Sequence, residues 1–529
     1  MADRLLDAPA PAVGLRAKLA RPERALAVGW LAAVAFGAAA AAVLFVHLPV
    51  LRDHYFFGDD FVPLADIASR STPGYLKDLF LLQDETPNWR FLTGLVYLGL
   101  YRAFGLNALP FLATAVVLHI GTAGLIFWLV RRVLGAVWPA FLAGSFFGLT
   151  AAAVPTVGQV TALNNVLGGF LLMLAVVALY EGLWRGRLVA WTAMSSVSFA
   201  AAIAANESVA VLAPLFPLLA LWRASEADAW WRDRATQARV VLVSTPYVLI
   251  GGAALAALGA CRCTSAASDG NFGAGGHIVD NLWIYLGRLL YPIGMEPLGE
   301  PGTAHLIAGI VVAVIAIGAL VRGPALARLA VAFLALALIP YLPLELWSAP
   351  RYVYLAAIPF SMLSAVVFAE AARYGSRITP VVPGALALMA LGVLALYGWQ
   401  TWTQNETFGD ETGRWHAFVA DVTETYPELP AGSAVYIIGS DLSDPLLQCA
   451  VMPAAGEVLW GDVLLFSYLP GALEAYRVRP GYDVHVAEAS ASGLLPKFVP
   501  VATQSELTGG SFLLPHVEPG TTGNLCLAE

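Results

Sequence analysis

Apolar runs of about 20 residues recur between positions 26 and 400, and nothing else in the sequence restricts the fold so strongly. A hydrocarbon layer about 30 Å thick is crossed by a helix of roughly that length, because only a helix satisfies its own backbone in lipid. About eleven spans are predicted, over 26–48, 109–130, 133–155, 163–182, 188–205, 208–222, 240–260, 304–320, 328–345, 354–372 and 379–400. Composition agrees: the 529 residues are 59% hydrophobic and 12% charged, with a mean hydropathy of +0.71. The expected fold class is an α-helical polytopic membrane protein.

Orientation follows from the basic residues. With the N-terminal tail (1–25) inside, seventeen of the 29 Lys and Arg fall in that tail and the alternate loops, among them Arg131, Arg132, Arg185, Arg187, Arg223 and Arg322. The opposite loops hold eight, although they are longer. Lys and Arg accumulate on the cytoplasmic side, so the N-terminus is expected in the cytoplasm and, with an odd number of spans, the C-terminus outside it. The tail is followed by an apolar run too long for a cleavable leader, and none is expected. A net charge of −8 without a Lys/Arg-rich block excludes nucleic acid as a partner.

The connections divide the chain. The first external loop, 49–108, contains amphipathic stretches at Pro63 to Arg70, Gly74 to Leu82 and Phe91 to Phe104, read as helices along the interface. The alternative for the last is that it crosses the membrane. In the second external loop, Ile278 to Leu290 is a further interfacial helix after a flexible Gly-rich start. Past position 400 the apolar spans stop. A helix from Asp410 to Tyr426 and strands at Ala434 to Gly439, Val463 to Tyr468 and Val484 to Ala487 predict a small α/β domain over 401–529. Cys261 and Cys263 form half of a zinc motif without its second half, whereas Cys449 and Cys526 are candidates for a disulfide on the oxidising side, with free thiols the alternative.

Polar groups in so apolar a chain are few, and those at the external span ends are the candidates for chemistry. The stretch His54 to Phe61, HYFFGDDF, sets Asp59 and Asp60 among aromatics just after the first span. Arg90 follows in the same loop. Gln159, Asn164 and Asn165 occupy the next external turn, Asn206 and Glu207 the one after, and Glu345, Arg351, Tyr352 and Tyr354 the last. Adjacent carboxylates with arginines at a membrane interface suit glycosyl transfer from a lipid phosphate. A carboxylate takes the proton of the acceptor hydroxyl, while cations, or a divalent ion such as magnesium or manganese held by Asp60, neutralise the departing phosphate. For Arg351 the alternative is an interface anchor, and for Glu207 a cap on the sixth span. His119 reads as a core hydrogen-bonder.

Five segments in order resemble the GT-C superfamily of polytopic glycosyltransferases, in the branch of protein O-mannosyltransferases and TPR-bearing mannosyltransferases. FFGDD at 56–60 is similar to the acidic motif of that family's first external loop, and WRFLT at 89–93 to its R-P-L-T motif, with Phe91 in place of proline. Residues 106–135 resemble the following segment, AANES at 204–208 the S-K-E element, and APRYVYLAAIPFSML at 349–363 the R-Y-x-Y-L-P segment. Asn206 replaces the motif lysine, Val154 and Pro155 replace the H-P element, the acidic residue of the next external turn is missing, and so are the TPR repeats. The resemblance implies a GT-C-like membrane domain over 26–400 in the plasma (inner) membrane. It implies an inverting transfer of sugar from a polyprenyl-phosphate donor to an acceptor on the extracytoplasmic face. Asp59 or Asp60 would be the base; Arg90, Arg351 and Tyr352 would hold the phosphate, with Glu207 and His54 in support. A flippase of lipid-linked glycan, or a non-catalytic relative in envelope assembly, are the competing readings.

Overall fold

The computed structural model describes residues 22–52, 55–56, 58–81, 90–227, 230–261, 273–291, 302–345, 350–438, 452–468, 483–490 and 497–503. His54, Cys263, Cys449 and Cys526 lie outside these residues, and with them the expected disulfide.

Helix α1 (Pro22–Val46) breaks at His47 and resumes as the short α2 (Leu48–Arg52). Pro49 explains the break, since it has no N–H to donate to the preceding turn. After the Asp59–Asp60 turn come α3 (Phe61–Ala68), α4 (Thr72–Leu81) and α5 (Phe91–Phe104), the three amphipathic helices of the first loop. Helix α6 (Leu109–Leu134) starts with Pro110 in its first turn and ends on Gly135, whose φ of 68° permits a left-handed cap. Helices α7 (Val137–Gly148) and α8 (Val154–Val157) belong to one apolar run bent by 44°. Helices α9 (Leu163–Arg185) and α10 (Leu188–Ala205) form a tight hairpin, followed by α11 (Leu215–Ser225) and α12 (Arg234–Cys261). Helix α13 (His277–Leu290) buries Asn281, Ile284, Tyr285, Arg288 and Leu289 along one stripe and packs on α14 (Thr303–Arg322). Helices α15 (Ala325–Leu338), α16 (Tyr354–Gly375) and α17 (Val381–Thr425) complete the bundle.

Among the described residues nine helices are long and apolar enough to cross a membrane, or ten if the bent pair is one span. The expectation of about eleven is therefore corrected at two places. The run 133–155 is a broken helix, and the run 328–345 is the shorter α15, which ends in a 3-10 turn at Ile339–Tyr341. Pro340 and Pro343 stop it there. Side chains such as Val117, Val197, Val314 and Leu388 point outward from these helices, exposing an apolar face of the kind that lipid covers.

The C-terminal region departs from expectation in two respects: span 379–400 and helix 410–426 are a single helix, and the sheet domain has a fourth strand and a crossover helix that were not expected. At 45 residues, α17 is roughly 68 Å long, twice the hydrocarbon thickness, so it extends well out of the bundle. Beyond it lies a four-stranded sheet of β1 (Ser433–Ile438), β2 (Val463–Tyr468), β3 (Asp483–Ser490) and β4 (Lys497–Thr503) in the order β2-β1-β3-β4. Strand β1 is parallel to both its neighbours, and β4 is antiparallel to β3. Helix α18 (Met452–Trp460) crosses over between β1 and β2 and packs on α3. The Trp460 indole donates to the Tyr426 carbonyl at 2.9 Å.

Candidate active site

Gly58, at φ 56°, turns the chain so that Asp59 and Asp60 leave it in a single 3-10 turn. The aromatics around them are anchors. Phe56 and Phe61 are fully buried, with Phe56 edge-on to Phe111 of α6 and Phe61 beside Trp415 of α17. Tyr55 stacks on His416 with ring centroids 4.5 Å apart.

The two aspartates then part. Asp60 is closed off from solvent, and its Oδ1 accepts from the Thr161 backbone N–H at 2.7 Å and the Thr161 hydroxyl at 3.1 Å. Asp59 is half-exposed, takes a hydrogen bond from the Gln159 amide, and lies 3.4 Å from Arg351 Nη1. Arg351 also donates to Gln159 Oε1 at 3.3 Å, so Asp59, Gln159 and Arg351 form a closed triangle. The guanidinium sits 5.8 Å above the Tyr352 ring, which stacks on Tyr341 at 4.9 Å.

A second ion pair stands nearby. Arg90, immediately before α5, makes a bidentate contact to Glu207, with Nε to Oε2 at 3.0 Å and Nη2 to Oε1 at 2.9 Å. Burial disfavours the charge on Arg90, but the Glu207 carboxylate more than restores it and holds the guanidinium above its ordinary value. Tyr97 links the two halves: its hydroxyl donates to the Val160 carbonyl at 2.7 Å and lies within electrostatic reach of Asp60, Arg90 and Asp59. Burial, then those carboxylates, push its phenol well above the usual value. Arg351 in turn feels the charge of Arg90.

Three supports hold these loops. Helix α17 carries the first: Asn405 donates to the Val46 carbonyl at the α1 break, and Thr401 to the Leu149 carbonyl at the α7 break, both at 2.7 Å. Each break exposes a carbonyl that has lost its helical partner, and each leads to a site loop. Further along, Phe408 packs on Gly158, where an added Cβ would meet its ring and the Val154 carbonyl at 3.0 Å, so a side chain beside Gln159 would have to push that ring aside. Asn281 of α13 is the second support, donating to the carbonyls of Leu342 and Leu344 at 2.9 and 2.7 Å in the loop that leads to Arg351. The third is an amide chain in which Asn206 donates to Asn165 at 2.8 Å while accepting from the Ser208 N–H.

Of the residues read from the sequence, Asp59, Asp60, Arg90, Glu207, Arg351 and Tyr352 are all at this end of the bundle. Glu207 clamps Arg90. Glu345 is exposed, and His119 is a core hydrogen-bonder as expected, bound to the Tyr354 hydroxyl at 3.0 Å and the Gly148 carbonyl. Thr161, Tyr97 and Tyr341 were not among the residues expected at the site, and Gln159, expected only as a polar residue of an external turn, holds Asp59.

The residues do not fit a resident magnesium or manganese ion. Asp59 is met by the Gln159 amide and the Arg351 guanidinium and Asp60 by the Thr161 N–H and hydroxyl, donors where a divalent ion needs oxygen ligands, and among the described residues no group of three or more His, Cys, Asp or Glu converges.

No protein-family model matches the chain, and no curated protein does. Among solved structures it is similar to ArnT from Cupriavidus metallidurans bound to undecaprenyl phosphate, at 14% identity, with 88% of this chain and 93% of that one covered and a TM-score of 0.46. The apo state of the same protein gives 16% identity, the same coverage and a TM-score of 0.48. The oligosaccharyltransferase of Archaeoglobus fulgidus in the apo form gives 11% identity, coverage of 85% and 69%, and a TM-score of 0.45. At overlaps this low these are resemblances of fold only.

Proposed function

We propose that this protein is a GT-C-type inverting glycosyltransferase that takes a sugar from a polyprenyl-phosphate donor at the extracytoplasmic face of the plasma (inner) membrane. The observation that carries this reading is the pairing of an accessible carboxylate, Asp59, with a guanidinium, Arg351, at one end of a helical bundle that lipid surrounds. A base and a phosphate-binding cation side by side are the two groups such a transfer needs.

Asp59 would take the proton of the acceptor hydroxyl as its oxygen attacks the anomeric carbon from the face opposite the phosphate. The bond from that carbon to the phosphate oxygen breaks, and Arg351 and Arg90 offset the charge the phosphate gains. Tyr352 aligns the Arg351 guanidinium, Glu207 fixes Arg90, and Asp60 holds the turn through Thr161.

Sidedness is supported by the opposite end of the bundle. There Glu181 lies between Arg132 and Arg185, at 3.6 and 2.9 Å, and Arg223 donates to the Leu183 carbonyl. An arginine-rich end belongs in the cytoplasm, which leaves the Asp59 end outside with the C-terminal sheet domain. The partners are then a lipid-linked sugar, the surrounding lipid and an acceptor.

The test is to supply the purified protein with polyprenyl-phosphate-linked sugars and measure released polyprenyl phosphate. Release with at least one sugar is expected. No release with any, together with no binding of polyprenyl phosphate, would remove the proposal.

A further inference from the structure

The two ion pairs differ in how firmly they are made. Arg90 and Glu207 meet through two well-formed bonds, whereas Arg351 reaches Asp59 through one nitrogen at 3.4 Å, outside the 2.7–2.9 Å of a strong charge-assisted bond, and shares that nitrogen with Gln159. Both partners of the second pair are partly exposed, with side-chain accessibilities of 30% and 43%. The weakly made pair contains the one carboxylate of the Asp59–Asp60 turn that an acceptor can reach. In the resting protein that carboxylate is already engaged, by a guanidinium and an amide.

The charge balance of transfer gives this arrangement a use. The donor is a phosphodiester with one negative charge. On transfer its bond to the anomeric carbon breaks, the acceptor oxygen bonds to that carbon, and the acceptor proton moves to Asp59. The phosphate leaves with two negative charges and Asp59 becomes neutral, so one unit of charge passes from carboxylate to phosphate. A cation standing between them is best used if it follows that charge.

We infer that Arg351 is a transferable partner, pairing with Asp59 in the resting protein and moving to the lipid phosphate when donor binds, so that the base is freed only in the donor complex. The inference rests on the proposed transfer from a polyprenyl-phosphate donor, and it adds an order: donor first, acceptor second. Gln159 is the fixed point of the exchange. Its amide N–H stays on Asp59 and keeps the carboxylate aimed after Arg351 has left. Asp60 is closed off from solvent and bound by Thr161, so it is not the carboxylate that meets the acceptor.

The inference separates binding from turnover. If Asp59 and the phosphate compete for Arg351, Asp59→Asn slows transfer by about 10²–10⁴-fold yet tightens binding of undecaprenyl phosphate to the full-length protein in detergent, by about fivefold, the scale of a partly exposed ion pair. Asp60→Asn removes a charge from the same turn while keeping the Asp59 carboxylate that pairs with Arg351, and leaves binding within about twofold. Should Asp60→Asn fail to fold, the comparison is made in Arg351→Gln, where Asp59→Asn no longer tightens binding. Undecaprenol, which lacks the phosphate, binds all variants equally. Weaker or unchanged binding in Asp59→Asn overturns the exchange, as does equal tightening in Asp60→Asn or in the Arg351→Gln background. The donor reading fails separately, if the unaltered protein does not bind undecaprenyl phosphate at all.

Discussion

Arg90 and Glu207 stand 117 residues apart in the chain and meet through two parallel hydrogen bonds of 3.0 and 2.9 Å. The pair joins the start of α5 to the turn after α10 and presents one guanidinium to the site in a fixed orientation. Planar bidentate contacts of this kind are specific to arginine, because an ammonium group cannot reproduce the fork.

Glu207→Gln keeps the shape of the side chain and removes the charge that holds Arg90. Donor kcat/KM is expected to fall by about tenfold, carried mostly by KM, with Arg90→Lys no better than Arg90→Gln. Steady-state kinetics against donor concentration checks this. A Glu207→Gln variant with unaltered KM would place Arg90 outside the donor site.

Asp60 faces Thr161 and not the opening, so its role is to hold the turn. Asparagine preserves the Oδ1 acceptor, and Asp60→Asn is expected to keep activity within about tenfold of the parent, the scale of one weakened hydrogen bond. The control is thermal unfolding of the same preparation. Complete inactivity with a normal unfolding temperature would make Asp60 a catalytic residue.

Asn405 and Thr401 of α17 seat the two helix breaks from which the site loops emerge. Asn405→Ala or Thr401→Val leaves a buried carbonyl without its partner, at a cost of about 1–3 kcal/mol each. Unfolding temperature is expected to drop, and kcat to drop with little change in donor affinity, since neither residue touches the arginines. Unchanged kcat in folded variants would separate α17 from the site.

Asp59, Arg90, Glu207 and Arg351 were legible because charge is costly in an apolar chain, so each isolated charged residue at a span end carries information. Thr161, Tyr97 and Tyr341 were not, since threonine and tyrosine are ordinary at a membrane interface and only the bend after Gly148 brings Thr161 to Asp60. Hydropathy ends at about position 400, which hides that the helix continues to Thr425; nothing between Thr401 and Thr425 is a proline. Strand β4 escaped notice because Pro500 interrupts it. The structure puts that proline on an edge strand at a register shift opposite Ala487, where a missing N–H does no harm.

Because the carboxylates are met by hydrogen donors, transfer is expected to persist in EDTA. Activity measured before and after chelation decides the matter. Loss of turnover that magnesium or manganese restores would return a divalent ion to the mechanism and require Asp59 to leave Arg351 for it.

The most direct test is the rate of sugar transfer from a polyprenyl-phosphate donor by the purified protein and by its Asp59→Asn variant, at saturating donor and acceptor. A general base contributes about 10²–10⁴-fold, and a loss of that size is predicted with the unfolding temperature preserved. Full transfer by Asp59→Asn would contradict the account at its centre.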